Sequence, residues 1–508
     1  MSPAAHETAV SPSSDRVFAI EQRGIDLVGP EERHGRPRDL FWMWLGSNLN
    51  VFYPVNGALV IYFGLSFAQA VVAIIIGNLI FFAVGLTSLQ GPKVGTSTFA
   101  LSRAAYGQNG GRGLSVFNWV TCVGFEASGM ALIVLAGLAL FSSAGVAAST
   151  GLKIVLLLVA MCIQVFLPLF GHQTIITVQR YLAYLLIPLF VIMAIVVAGR
   201  INVGALNHGT GWATFTAAVA LLISAGGLSW ANTGSDYSRY LPADASPRGI
   251  FWSASIGGML PAVLLEILGA GIASVVKSAS DPISGLPQAL PSWVTTPYLI
   301  MAIVTLLAVN TIDLYSSGLT LQAIGLKIKR WQCVLVDMVI ATVVAAIAIF
   351  NSDFNRIYSD FLSLLIVWLS PWLAIYLVDW VMRRGQYDAG ALLQDRGGTV
   401  LAQRRVPHPG RRGAARRHGG GVPLDRLTRV RGPAVEPHRR IRFQLLHGPG
   451  GRGRALLPAR PDVGTGANRR AGRGHRRSLV VSSAEPAEKD AHAAHRRVAH
   501  SYRRHARA

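Results

Sequence analysis

About ten apolar runs lie between residues 39 and 384, near 41–64, 67–90, 113–141, 152–170, 175–199, 213–233, 250–275, 296–323, 333–350 and 358–382. Each approaches the roughly 20 residues that a helix needs to cross a bilayer. In hydrocarbon every backbone N–H and C=O must find its partner within the protein, so runs of this length span as helices. An all-α membrane protein is expected, with the lipid bilayer as its solvent. The N-terminus is polar and has no signal-peptide pattern, which leaves the first span as the insertion signal.

The formal charge of +22 at first suggests a nucleic-acid binder, but it is not spread evenly. Residues 1–382 hold 18 Lys and Arg against 17 Asp and Glu, leaving 29 against 8 for residues 383–508. The chain therefore divides into a cytoplasmic N-terminal segment (1–38), a ten-helix core (39–384), a cytoplasmic linker (385–398) and an Arg-rich tail (399–508). Excess Lys and Arg on cytoplasmic loops orients the core. With a cytoplasmic N-terminus, eleven Lys and Arg of the loops and helix ends fall inside, and only Lys153, Arg200, Lys277 and Arg356 fall outside. No nucleic acid is expected as a partner of the core. The three cysteines sit in or beside separate apolar runs with no ligand spacing, which suggests neither a metal cluster nor a disulfide framework. No nucleophile–base pair or phosphate loop stands out, so an enzyme is not expected, nor is a cofactor beyond a coupling ion.

Two spans look discontinuous, the first and the sixth. The first contains Gly46, Ser47, Asn48, Asn50, Pro54 and Asn56, and unwinding around Asn48–Pro54 would free carbonyls toward a cavity. The sixth carries Gly226, Gly227, Asn232 and Gly234, and ends in SWANTGSDYSRYLP (Ser229 to Pro242). Small residues in one span can simply allow close packing. Two such spans five apart, each with Asn inside the break, favour a midplane binding site between inverted repeats. Ser229 to Thr233 form the candidate solute face, while Asp236 and Arg239 cap the span, with an ion pair between them as one possibility. The eighth span adds Asn310, Asp313 and Ser317 on one helical face and Ser316 and Thr320 on a neighbouring one. Those hydroxyls either bond back to their own helix or, with carbonyls of the first span, build an oxygen cage for Na⁺.

Glu126 is a carboxylate inside the third span, where insertion costs about 3 kcal/mol and function is the default hypothesis. It could bind an exocyclic amine, carry the coupling proton, or turn toward Ser128 or a base elsewhere. Glu266, Asp337 and Asp379 read as helix-end or packing carboxylates.

Four stretches together resemble the nucleobase:cation symporter-1 family of cytosine, purine, allantoin and hydantoin permeases. They are GSNLNVF (46–52), GPKVGTSTFALSRAAYG (91–107), SWANTGSDYSRYLP and NTIDLYSSGL (310–319). The resemblance covers roughly residues 20–398. It implies the leucine-transporter-type fold of two inverted five-helix repeats, in the cytoplasmic (inner) membrane, importing a heterocycle with Na⁺ or H⁺. It also implies that Trp230 stacks on the solute ring and that Asn310 binds the solute edge. Asn48, Asn50 and Asn232 are further candidates for the solute. Ser316, Ser317 and Thr320, with the carbonyls of Asn48 and Val51, are candidates for sodium. Relatives often carry Gly-Trp and a nearby Gln or Asn in the third span. Here Gly124-Phe125-Glu126 makes Phe125 the second stacking partner and removes the amide. Two other readings remain open on the residues alone: an amino-acid or amine carrier of the same fold, and a non-functional product with an anion-binding tail.

Relatives usually have twelve spans, and the last two are missing here. The tail is rich in Arg, Gly, Pro and Ala, the composition that GC-rich codons give in a wrong frame. A back-translation of Val400–Arg411 reads YWRSGGFHIPG one base later. We therefore expect a frame change near Gly398–Thr399 and a tail without a packed core.

Overall fold

The structure is a computed structural model that describes residues 16–350 and 354–393. The sequence-expected tail, 399–508, lies outside the described residues, as does the end of the linker. Among the described residues, nine helices are long and apolar enough to cross a membrane. The first span is the tenth, and it is broken into two short helices as the sequence implied.

Helix α1 (Pro37–Asn48) and helix α2 (Phe52–Tyr62) meet at a three-residue break. Asn50 holds that break together: its Nδ2 donates to the Ser47 carbonyl at 2.9 Å, and its Oδ1 accepts from the Phe52 amide at 3.0 Å. Pro54 falls in the first turn of α2, where a missing N–H costs nothing, so the chain unwinds just ahead of the proline.

The second span comprises α3 (Phe67–Asn78), α4 (Phe81–Ser88) and α5 (Gln90–Val94). A Ser66/Gln69 capping box starts it. Helix α6 (Thr98–Ser143) kinks at Gly107, whose φ of 72° only glycine adopts freely. Helices α7 (Thr150–Phe170) and α8 (His172–Ala198) follow.

The sixth span runs through α9 (Trp212–Ile223), a π-helical stretch at Ser224–Leu228, α10 (Ser229–Ala231) and α11 (Gly234–Ser238). Its break must pass close to the second span: a Cβ at Gly227 would lie 2.7 Å from the Phe81 amide nitrogen. The rest is α12 (Pro247–Ile272), α13 (Ser292–Ile324), α14 (Arg330–Phe350), α15 (Phe354–Met382) and the short α16 (Ala389–Leu393).

Helices α6 and α13 are the most buried and form the centre of the bundle. Helices α7 and α8 are peripheral and turn outward an apolar surface that includes Val155, Leu158, Ile163, Phe166, Leu185 and Ile195. That surface suits lipid rather than water.

Residues 16–36, read from sequence as a plain polar segment, are laid across one end of the bundle. The Phe18 amide bonds Thr174 Oγ1 at 2.9 Å, the Ile25 amide bonds Gln322 Oε1 at 3.1 Å, and the Val28 amide bonds the Gly95 carbonyl at 2.8 Å.

Candidate substrate site

Both broken spans border one cavity. Asn50, Phe52 and Tyr53 reach it from the first break, and Ala225, Ser229 and Trp230 from the second. Phe125 of α6 and Val309, Asn310 and Asp313 of α13 complete the wall. Four of the candidate solute residues therefore share a single space: Trp230, Phe125, Asn310 and Asn50. The free volume is about 30 Å³, far below the roughly 300–1,000 Å³ of pockets that enclose a small ligand. The walls must move apart before a ring can enter.

The indole of Trp230 is 6 % exposed and meets Trp44 edge-on, with ring centroids 5.6 Å apart. Phe125 meets Phe361 in the same way at 5.1 Å. The Asn310 amide donates from Nδ2 to the backbone carbonyl of Glu126 at 3.0 Å. A carbonyl can only accept, so this bond fixes the amide orientation. It leaves Asn310 Oδ1 buried and without a partner among the described residues. The amide can lie here because residue 129 has no side chain: a Cβ at Gly129 would fall 2.3 Å from Asn310 Oδ1. Gly129→Ala should therefore displace the Asn310 amide and weaken solute binding about tenfold, the loss expected for one hydrogen bond. Equilibrium binding to the purified protein checks this, and unchanged affinity would remove Asn310 from the site.

Three of the candidate solute residues are placed elsewhere. Asn48 folds onto its own helix, donating to the Trp44 carbonyl at 2.8 Å and accepting from the Tyr53 hydroxyl. Asn232 donates to Asn118 Oδ1 at 2.6 Å, beside Thr320. Glu126 lies next to Phe125, but successive helix residues point about 100° apart. With Phe125 toward the cavity, the Glu126 carboxylate turns to the seam with α13 and α14, facing Ser317 and Asp337. The carboxylate on the cavity wall is instead Asp313. The sequence had placed Asp313 on the same face as Asn310 without giving it a role. Tyr53 was missed, although its position inside the interrupted first span marked it.

The candidate sodium hydroxyls have partners away from the first span. Ser316 donates to the Tyr237 hydroxyl at 3.2 Å, Ser317 donates to Asp337, and Thr320 accepts from Asn118 at 3.0 Å. No described hydrogen bond joins any of them to Asn48 or Val51. The cap of span six also differs from the expectation. Arg239 pairs with Glu21 at 3.0 Å, while Asp236 accepts from the Thr98 amide at 2.8 Å. Glu266 is buried against Asn78, at 2.5 Å, and Asp379 pairs with Arg383 at 2.8 Å in the expected helix-end manner.

Residues 27–399 match the family described as permeases for cytosine/purines, uracil, thiamine and allantoin. The match ends where the composition of the chain changes. YxlA of Bacillus subtilis, classed as a purine-cytosine permease, is 28% identical over 395 residues, 74% of this chain and 83% of that one. The purine-cytosine permease fcyB of Emericella nidulans is 26% identical over 391 residues, 72% of this chain and 74% of that one. Among solved structures, a closed, bromovinylhydantoin-bound form of MHP1, a nucleobase-cation-symport-1 family transporter, superposes with a TM-score of 0.61. Its identity is 15%, over 74% of this chain and 84% of that one. The likeness to MHP1 is therefore one of fold.

Proposed function

This chain belongs to the permease family for cytosine/purines, uracil, thiamine and allantoin, and from that premise we propose that it imports a nucleobase or related heterocycle by cation symport. The observation that carries this reading is the cavity shared by Trp230, Phe125, Asn310 and Asp313 at the two helix breaks. A flat ring stacks on the aromatic pair. The Asn310 amide oxygen and the Asp313 carboxylate accept hydrogen bonds, so the solute edge facing them carries N–H groups, as the amino group of cytosine or adenine and the imide of a hydantoin do. The N-terminus lies in the cytoplasm, following the distribution of Lys and Arg.

An amino-acid carrier of the same fold would hold the solute carboxylate by a basic side chain or by free backbone N–H groups at a broken helix's N-terminus. Among the described residues no Lys or Arg lines the cavity. The Phe52 amide at the start of α2 is already capped by Asn50. Uptake of radiolabelled cytosine into proteoliposomes, competed in turn by purines, allantoin, hydantoins and amino acids, tests the assignment. Competition is expected from heterocycles alone, and displacement by amino acids would overturn the reading.

A further inference from the structure

Two acidic side chains face one seam in the centre of the bundle, and among the described residues neither is paired with a Lys or Arg. Asp337 of α14 accepts from Trp119 Nε1 of α6 at 2.8 Å and from the Ser317 hydroxyl of α13. Glu126 of α6, 1 % exposed, faces the same Ser317 and Asp337. Neither of its oxygens has a hydrogen-bond partner among the described residues. Among the described residues, the other titratable groups toward this seam are Cys122 on α6, Asp313 on α13, Cys333 on α14, one turn before Asp337, and Asp236 on α11. Arg330 of α14 is seven residues from Asp337, roughly 10 Å along the helix, and is engaged by Glu21 at 3.5 Å and the Pro168 carbonyl at 2.7 Å. Lys153 of the neighbouring α7 sits over the Phe350 ring.

Two buried carboxylates that face the same Ser317 in a low-dielectric interior resist both being ionised without a counter-charge. The solution that fits both the orphaned oxygens of Glu126 and the apolar surroundings is one proton held by the pair, as in acid dyads generally. The pair is also wired to the cavity. Asn310 is anchored on the backbone carbonyl of Glu126, and Asp313, on the cavity wall, lies one helical turn from Ser317.

We propose that Glu126 and Asp337 hold one exchangeable proton between them, and that this proton is the coupling cation for solute uptake. The coupling half rests on the symport reading above. In the step itself, H⁺ from the outer solution adds to a carboxylate oxygen to give a carboxylic acid, and the O–H bond breaks again to release H⁺ on the inner side. No other bond changes.

Infrared difference spectroscopy of the purified full chain during a pH titration, without solute, reads the pair directly. A protonated-carboxyl band is expected that Glu126→Gln and Asp337→Asn each remove or shift, while Glu266→Gln leaves it in place. A spectrum unchanged by both seam variants overturns the proton pair. Two variants on different helices guard against one failing to fold.

The coupling role is read in proteoliposomes, where a proton gradient without Na⁺ should drive cytosine accumulation. Glu126→Gln should lose accumulation at least tenfold while still exchanging internal for external solute. If accumulation follows only a Na⁺ gradient and survives Glu126→Gln, the coupling role is overturned and the symport reading stands. If the band behaves as expected but no heterocycle is taken up under either gradient, the symport reading and the coupling role fall together, and the proton pair remains.

Discussion

Trp230→Ala is expected to abolish heterocycle uptake while the protein still reaches the membrane. An aromatic pair contributes about 0.5–1.5 kcal/mol beyond the burial of its surface, and an indole buries 150–250 Å² at about 25 cal/mol per Å². Even if the solute recovers only part of that area elsewhere, a loss on the order of 100-fold in affinity follows. The effect reaches beyond the stacked face. Trp44 stands edge-on to Trp230 and also to Tyr237, at 5.6 and 5.7 Å. Tyr237 in turn lines a second cavity, of about 420 Å³, beneath the N-terminal segment. Truncating the indole therefore removes both a wall of the solute cavity and a support of the Trp44 ring, which packs on Trp230 and Tyr237. Trp230→Phe keeps an aromatic face and should retain partial uptake. Measuring uptake alongside surface labelling separates lost binding from lost expression, and normal uptake by the alanine variant would remove Trp230 from the site.

The parts of this site that were legible in the sequence are those with local causes. Pro54, Asn50, Gly226 and Gly227 break helices wherever they occur together, so the two interruptions can be located from residue types alone. Trp230, Phe125 and Asn310 followed from the family resemblance, and the cavity brings them together. What was not legible depended on helix phase or on distant partners. Glu126 and Asp313 are both buried carboxylates in apolar helices. Which of them faces the cavity is decided by rotation about α6 and α13, and residue spacing within one helix says nothing of that rotation. The hydroxyls of Ser316, Ser317 and Thr320 were visible as a cluster. Their partners Tyr237, Asp337 and Asn118 come from three other helices, which residue spacing along α13 does not show.

The N-terminal segment is the largest such gap, and it yields the second large expected effect. Glu21 is fully buried among groups more than 150 residues away in the chain. Its Oε1 accepts from Arg239 at 3.0 Å, Tyr240 at 2.6 Å and Tyr315 at 3.2 Å, and its Oε2 accepts from the His172 amide at 2.9 Å. Arg330 approaches Oε2 at 3.5 Å. Both guanidiniums are almost wholly buried. Breaking a buried ion pair by removing one partner costs about 3–5 kcal/mol, because the remaining charge is left desolvated and uncompensated. Glu21→Ala leaves two such charges, so a loss at the upper end of that range is expected. Glu21→Gln, which keeps an accepting oxygen, should lose less. Unfolding of the purified protein in detergent by heat or denaturant reads the difference. A native reporter localises it: Cys333, buried at the start of α14 three residues after Arg330, should react faster with a maleimide once the segment lets go. The exposed Cys162 is replaced by serine beforehand so that it does not mask the signal. Unfolding and labelling that both match the parent protein would show that the carboxylate does not hold this end of the bundle closed. Faster labelling with little change in unfolding would mean that the segment opens locally while α8, α11, α13 and α14 stay packed. Because Glu21 ties together the start of α8, the residues that follow α11, Tyr315 within α13 and the start of α14, a rearrangement that separates these four helices there must break its bonds.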